Sequence, residues 1–209
     1  IGKGFAIGAA ALTVLALFAA FTEAAALSAI NLMNPMIFIG LLIGGTLPYV
    51  FAALTMHAVG RAASVMVGEV RKQCQVRGDG ARCVGIATGA AIHETMLPGF
   101  IAVATPVAVG FLFGSEVLGG LLVGSLVSGV LLAFSMANSG GAWNNARKYI
   151  EAGNLGGKGS ESHKAALVGN TVGDSCKDAS GPSINVLLKL MAIVSVLTVG
   201  LYSVNGLLG

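Results

Sequence analysis

The amino-acid sequence predicts an all-α membrane protein: five transmembrane helices, several of them extended into the cytoplasm, forming part of a larger helical bundle. Three observations predict this. Of 209 residues, 55% are hydrophobic and only 10% charged, against roughly 25% charged in soluble domains. The apolar residues gather into five runs close to the ~20 needed to cross a bilayer, and none of the runs alternates with the period of two that a strand requires. The apolar excess is largely Ala, Val, Leu and Ile, with 31 Gly, a composition suited to close helix packing in lipid. A soluble enzyme is excluded on these grounds, and no nucleic-acid partner is expected from a net charge of only +3.

The five spans fall at about residues 4–21, 36–58, 98–113, 117–137 and 182–204. The third is the shortest, and apolar residues from Ile86 to Ile92 extend its helix backwards. Of the twelve Lys and Arg residues, eleven lie before span one, between spans two and three, or between spans four and five. The opposite loops, about residues 22–35 and 114–116, and the tail after Tyr202 carry none. The positive-inside rule then places the N-terminus in the cytoplasm and the C-terminus outside or in a lumen. The chain opens at Ile1 within an apolar run, without a charged leader, and reads as a piece of a longer protein.

The twelfth basic residue, Lys189, falls seven residues beyond Pro182, about 10 Å into span five at 1.5 Å per residue. It either snorkels to the interface or is buried against a partner, and its depth favours the second.

Two cytoplasmic segments read as helices continuing out of the bilayer. In AWNNARKYIE (Ala142 to Glu151), Asn144, Arg147, Lys148 and Glu151 recur at intervals of three and four, so they share a face. In HKAALVGNTVGDSCKD (His163 to Asp178), Asn170, Asp174, Lys177 and Asp178 do the same. On a uniform helix Lys189, eleven residues past Asp178, is only about 20° off that stripe, with a kink expected at Pro182. By composition alone these charges read as a solvated helix end. Against that, the chain has only nine acidic residues, and two of them fall four apart on one face below an intramembrane lysine. Carboxylates so placed can ligate a hard cation such as Mg²⁺, and Lys177 beside them can hold an anion.

Other motifs are weaker. Cys74, Cys83 and Cys176 form no CxxC pair and leave an odd thiol, so they read as reduced and incidental. No phosphate loop or HExxH spacing occurs; His57, His93 and His163 read as satisfied surface or interfacial side chains. Trp143 and Tyr149 flank the end of span four, where amphipathic rings sit at an interface. The segment RKQCQVRGDGAR, Arg71 to Arg82, reads as a cytoplasmic loop, its RGD triplet on the wrong side for adhesion.

The sequence resembles the membrane-integral inorganic pyrophosphatases, which couple pyrophosphate hydrolysis to H⁺ or Na⁺ pumping. The likeness runs through IGKGFAIGAAAL (Ile1 to Leu12), GGTLPYVFAALTMHAVGRAA (Gly44 to Ala63), ANSGGAWNNARKYIEAG (Ala137 to Gly153) and GNTVGDSCKDASGPSINVLLKLM (Gly169 to Met191). It implies the C-terminal part of a longer pump, needing the N-terminal helices of the same protein and working as a homodimer in the lipid bilayer of a prokaryotic plasma membrane or an acidic organelle. It further implies Asp174 as a metal ligand and catalytic carboxylate, Asp178 as a carboxylate orienting the attacking water, Lys177 and Arg147 as contacts to pyrophosphate, and Lys189 in an ion gate. Mg²⁺ is the implied cofactor, with Asn170 and Asn144 at the metal site beside Asp174, and Gly2 fits the K⁺-stimulated branch. The family pattern has Asp at the positions of Asn144 and Asn170, Lys at Arg147 and Pro at Ser175. Each Asn keeps the shape of Asp while removing an anionic ligand. Those departures leave a second reading: a non-catalytic membrane module or degenerate relative that retains the ion path without hydrolysis.

Overall fold

The computed structural model describes residues 2–73, 80–202 and 206–208, and all regular structure among them is helical. The helices are α1 (Gly2–Ala24), α2 (Pro35–Gln73), α3 (Gly80–Glu151), α4 (Glu161–Asp174) and α5 (Gly181–Thr198), with a π-helical segment, Ser175–Ser180, joining the last two. Four helical stretches among the described residues are long and apolar enough to cross a membrane, because α4, the π segment and α5 run on without a gap.

The third stretch contains two of the expected spans. It is broken at Gly114, whose φ of 87° and ψ of 176° lie in a region essentially reserved for glycine. Before the break α3 runs antiparallel to α2: Arg61 Nε donates to Glu94 Oε1 at 2.8 Å, and Arg82 Nε lies 2.9 Å from Glu69 Oε1. After it α3 runs parallel to α2, so that Gly40 meets Val117, Gly44 meets Leu121 and Leu41 meets Gly124. The chain therefore doubles back at one residue, and the expected loop at 114–116 shrinks to this break.

The loop expected from Arg71 to Arg82 is also corrected. Helix α2 continues to Gln73 and α3 starts at Gly80, so Arg71, Lys72 and Arg82 are helical. Cys74 and the RGD triplet lie outside the described residues.

The second leg of α3 and α5 form the centre. Residues Leu118, Leu121 and Leu122 pack with Ile184, Leu187, Leu188 and Met191 and with Phe21 and Ile37 from α1 and α2. On α1 the buried Ile7, Ala10, Val14 and Phe21 recur at helical intervals. Close approach of α2 to α3 depends on small residues: a Cβ on Gly44 would sit 2.0 Å from the Leu121 carbonyl oxygen, and one on Gly124 2.0 Å from that of Leu41. In lipid, where helices gain little from burying apolar surface against each other, such contact supplies dispersion energy.

The two ends of the bundle differ in chemistry. At one end Tyr202 stacks edge-on against Phe111 with centroids 5.1 Å apart, and the N–H groups of Leu207 and Leu208 donate to the carbonyls of Phe111 and Leu112. The Gly114 break and the tail are thus neighbours, and neither carries a basic residue. The other end gathers Lys3, Lys177 and Arg147 and holds the polar residues singled out by sequence.

Candidate functional site

The site is built where α4 crosses the last turns of α3. The two run antiparallel: Gly140 faces Gly173, Trp143 lies over Gly169, and Glu151 meets His163. Two glycines permit the crossing. A Cβ on Gly140 would lie 2.3 Å from the Gly173 carbonyl oxygen and 2.5 Å from Lys177 Cβ, and one on Gly169 would strike the Trp143 ring. The antiparallel pairing sets the helix turns of Asn144 and Arg147 beside α4, and the Arg147 charge reaches Asp174, so the two expected cytoplasmic extensions pack together as one polar region, termed the α3–α4 cleft.

Within it, Asn170 Nδ2 donates to Asp174 Oδ2 at 2.7 Å and Lys177 Nζ donates to Asp174 Oδ1 at 3.0 Å. The same ammonium lies 3.5 Å from Asp178 Oδ2. The Lys177 side chain is only 15% exposed, so its charge is offset by carboxylates rather than by water. Asp174 and Glu151 lie outside the apolar spans, and both carboxyls are held below their ordinary range. For Asp174 the cause is chiefly the Lys177 hydrogen bond, with Asn170 and the Arg147 charge adding to it against partial desolvation. For Glu151 it is chiefly the hydrogen bond from His163, then the charge of Arg147. Both are ionised at neutral pH.

The π-helical turn was not legible in the sequence, and it carries Lys177 and Asp178. The Gly181 N–H donates to the Cys176 carbonyl, five residues back. Its cause is the next residue: Pro182 has no N–H, and its ring crowds the carbonyl four residues earlier. The chain widens the turn that precedes Pro182. Widened turns of this type recur at functional sites. Because a π-helical residue turns through less than 100°, the straight stripe from Asp178 to Lys189 does not hold as drawn on a uniform helix.

Lys189 is half-buried on α5 between the buried Leu188 and Met191, and among the described residues it has no hydrogen bond or ion pair. The partner expected for it is therefore not among them. One turn earlier, the buried Asn185 Oδ1 also has no partner. It lines a cavity of about 60 Å³ with Lys3, Ile7, Lys177 and Pro182.

Two further findings concern Lys3 and His163. Lys3, read from sequence only as a flanking charge, pairs with Asp178 Oδ1 and donates to the Lys177 carbonyl at 3.1 Å. A contact across 175 residues leaves no local signal. His163, expected as a satisfied surface or interfacial side chain, is satisfied but buried, with its side chain 8% exposed; its Nε2 lies 3.2 Å from Glu151 Oε1. His57 and His93 are exposed as expected, and Cys176 Sγ lies 4.0 Å from Met56 Sδ.

The oxygen set suits a hard cation in kind. The Oδ1 atoms of Asn144 and Asn170 are buried without a hydrogen-bond partner, and the Asp174 carboxylate lies beside Asn170. Among the described residues no three His, Cys, Asp or Glu come together to hold a metal. An ion here would rest on amide and carboxylate oxygens and complete its shell with water and ligand oxygens, as Mg²⁺ commonly does.

Residues 1–198 match the family described as inorganic H⁺ pyrophosphatase. The chain belongs to that family. It is 56% identical to a putative K⁺-stimulated pyrophosphate-energized sodium pump of Clostridium tetani, over 93% of this chain and 30% of that protein. A K⁺-insensitive pyrophosphate-energized proton pump of Methanosarcina mazei is 47% identical over 93% of this chain and 31% of its own length. A K⁺-stimulated sodium pump of Thermotoga maritima is 42% identical over 97% and 31%. The chain thus spans about 30% of the curated relatives it matches. Relatives with either pumped cation, and with or without K⁺ stimulation, stand at comparable identities.

Proposed function

We propose that this chain carries part of the hydrolytic site and of the ion path of a pump that couples Mg²⁺-dependent pyrophosphate hydrolysis to H⁺ or Na⁺ translocation. The observation that supports it is the α3–α4 crossing, where Asp174 pairs with Lys177 and feels the Arg147 charge, and where the Asn144 and Asn170 amide oxygens are buried without a partner, beside a π-helical turn leading to Lys189. Lys177 and Arg147 bind phosphate oxygens, Lys177 as a point charge and Arg147 through its planar fork. Asp178, exposed and paired with Lys3 and Lys177, orients the attacking water and accepts its proton. Water oxygen bonds to one phosphorus as the bridging P–O bond breaks, and two phosphates leave. Asp174 with the Asn144 and Asn170 oxygens would hold Mg²⁺, which supplies neutralisation of charge on the phosphates. Helices α1 and α2, the two legs of α3, and α5 form five membrane crossings in this reading, with the cleft on the cytoplasmic side.

The experiment is carried out on the full-length parent in vesicles, measuring pyrophosphate hydrolysis and ion uptake. Asp174→Ala is expected to lose hydrolysis by about 10²-fold or more, the usual cost of removing one preorganised electrostatic group. Lys189→Ala is expected to hydrolyse while losing uptake. Parent-like hydrolysis by Asp174→Ala defeats the site, and parent-like uptake by Lys189→Ala defeats the gate. Asn144 and Asn170, amides where the family pattern has carboxylates, favour a second reading, a membrane module without hydrolysis. A folded parent inert toward pyrophosphate would support it.

A further inference from the structure

Glu151 and His163 have no task in the scheme above, yet they form a continuous chain of polar contacts beside Arg147. Arg147 Nε is buried without a hydrogen bond and lies 3.6 Å from Glu151 Oε1, an ion-pair distance too long for a hydrogen bond. The same oxygen meets His163 Nε2 at 3.2 Å. On the other side of the ring, the Gly159 N–H donates to His163 Nδ1 at 3.2 Å. That contact makes Nδ1 the acceptor, so Nε2 carries the proton and donates to Glu151.

The ring itself is fixed. Ser160 caps α4 by accepting from the His163 N–H, and His163 is packed in the turn that follows Gly153, Gly156, Gly157 and Gly159, all at positive φ. The chain of contacts thus runs from the backbone of the α3–α4 connection, through a neutral imidazole and a carboxylate, to the inner edge of a guanidinium whose charge also reaches Asp174.

We infer that Glu151 and His163 are positioning residues for Arg147: they hold its Nε edge so that the two terminal nitrogens are presented to a phosphate group of the substrate. The inference rests on the reading of Arg147 as a substrate contact. It makes use of a property of arginine that lysine lacks, because an ammonium has no second edge to be held while the first binds.

The test uses the full-length parent with pyrophosphate and excess Mg²⁺, comparing KM with kcat. Glu151→Gln keeps the shape and the acceptor for His163 and removes only the charge facing Arg147; it is expected to raise KM about tenfold, the loss of one charge-assisted partner, with kcat within twofold. His163→Ala is expected to do the same and His163→Gln, which keeps a donor for Glu151, to restore most of the affinity. In an Arg147→Ala background, Glu151→Gln is expected to add nothing, since residues acting through one another are not additive. An equal rise in KM with and without Arg147 overturns the relay and leaves the substrate contact standing. So does a normal KM in Glu151→Gln when Arg147→Ala alone is impaired. If Arg147→Ala itself binds pyrophosphate normally, the substrate contact fails and the relay with it.

Discussion

Gly140 and Gly141 are adjacent on the same helix, and adding one methyl group to each has opposite expected consequences. At Gly140 the new Cβ would stand 2.3 Å from the Gly173 carbonyl oxygen and 2.5 Å from Lys177 Cβ; at Gly141 nothing lies within 4 Å. A carbon needs ~3.5 Å to a neighbour, so α4 must retreat from α3 by about 1 Å. Overpacking of this kind costs about 1–3 kcal/mol. The functional cost is larger, because the displaced backbone carries Asp174 and Lys177 away from Asn144 and Arg147, and a misplacement of about 1 Å can lose ~10²-fold in rate. At Gly141 the alanine relieves glycine's helix penalty of up to ~1 kcal/mol. The assay is thermal inactivation in detergent together with pyrophosphate hydrolysis by the full-length parent. Gly140→Ala is expected to inactivate at lower temperature and to hydrolyse about 10²-fold more slowly, while Gly141→Ala matches or exceeds the parent in stability. Equal behaviour of the two variants would refute the close crossing of α3 and α4, and with it the cleft.

Asn170→Asp places a second carboxylate against Asp174, in contact across 2.7 Å where an amide now donates; without metal the pair repels, so the variant is expected to melt lower than the parent in chelator and to regain stability with added Mg²⁺. Metal-independent melting would show that no cation binds there. The Asp174 carboxyl is held low by Lys177, so the stability from that pair is present above the ordinary carboxylate range and is lost as pH falls through the lowered folded value. Melting temperature against pH should therefore drop at the acid end, and less steeply in Lys177→Met than in the parent; parallel curves would remove the pair from the account.

The spans and their polar continuations were legible because hydrophobic runs and intervals of three and four are local properties. The face shared by Asn170, Asp174 and Lys177 could be drawn from spacing alone, and those contacts are made within one helix. What escaped depends on partners far along the chain. Lys3 meets Asp178 only because α1 packs beside α5, and His163 is buried only because the α3–α4 connection folds over it. The reversal at Gly114 was visible as a short gap between two apolar runs, though not as a single residue of unusual φ. The widened turn at Ser175–Ser180 had one trace in the sequence, Pro182, whose effect was assigned to a kink. The widened turn relieves the clash at Pro182, and Ala133 and Met136 lie against Gly181 beside it.

The balance of charge in the cleft limits what these residues can do unaided. Lys3, Lys177 and Arg147 face Asp178, Asp174 and Glu151, three cations against three anions already paired at 3.0 to 3.6 Å where the contacts are ordinary ion pairs. A polyanion entering this arrangement gains from the cations only what it loses to the carboxylates, unless positive charge arrives with it. Pyrophosphate alone should therefore leave the melting temperature of the full-length parent nearly unchanged in the presence of a chelator, whereas pyrophosphate with Mg²⁺ should raise it. Each tenfold of ligand above its dissociation constant adds about 1.4 kcal/mol. Equal stabilisation with and without Mg²⁺ would mean that the protein's own cations suffice, and the pairing of Lys177 with Asp174 could then not be the resting state that substrate meets.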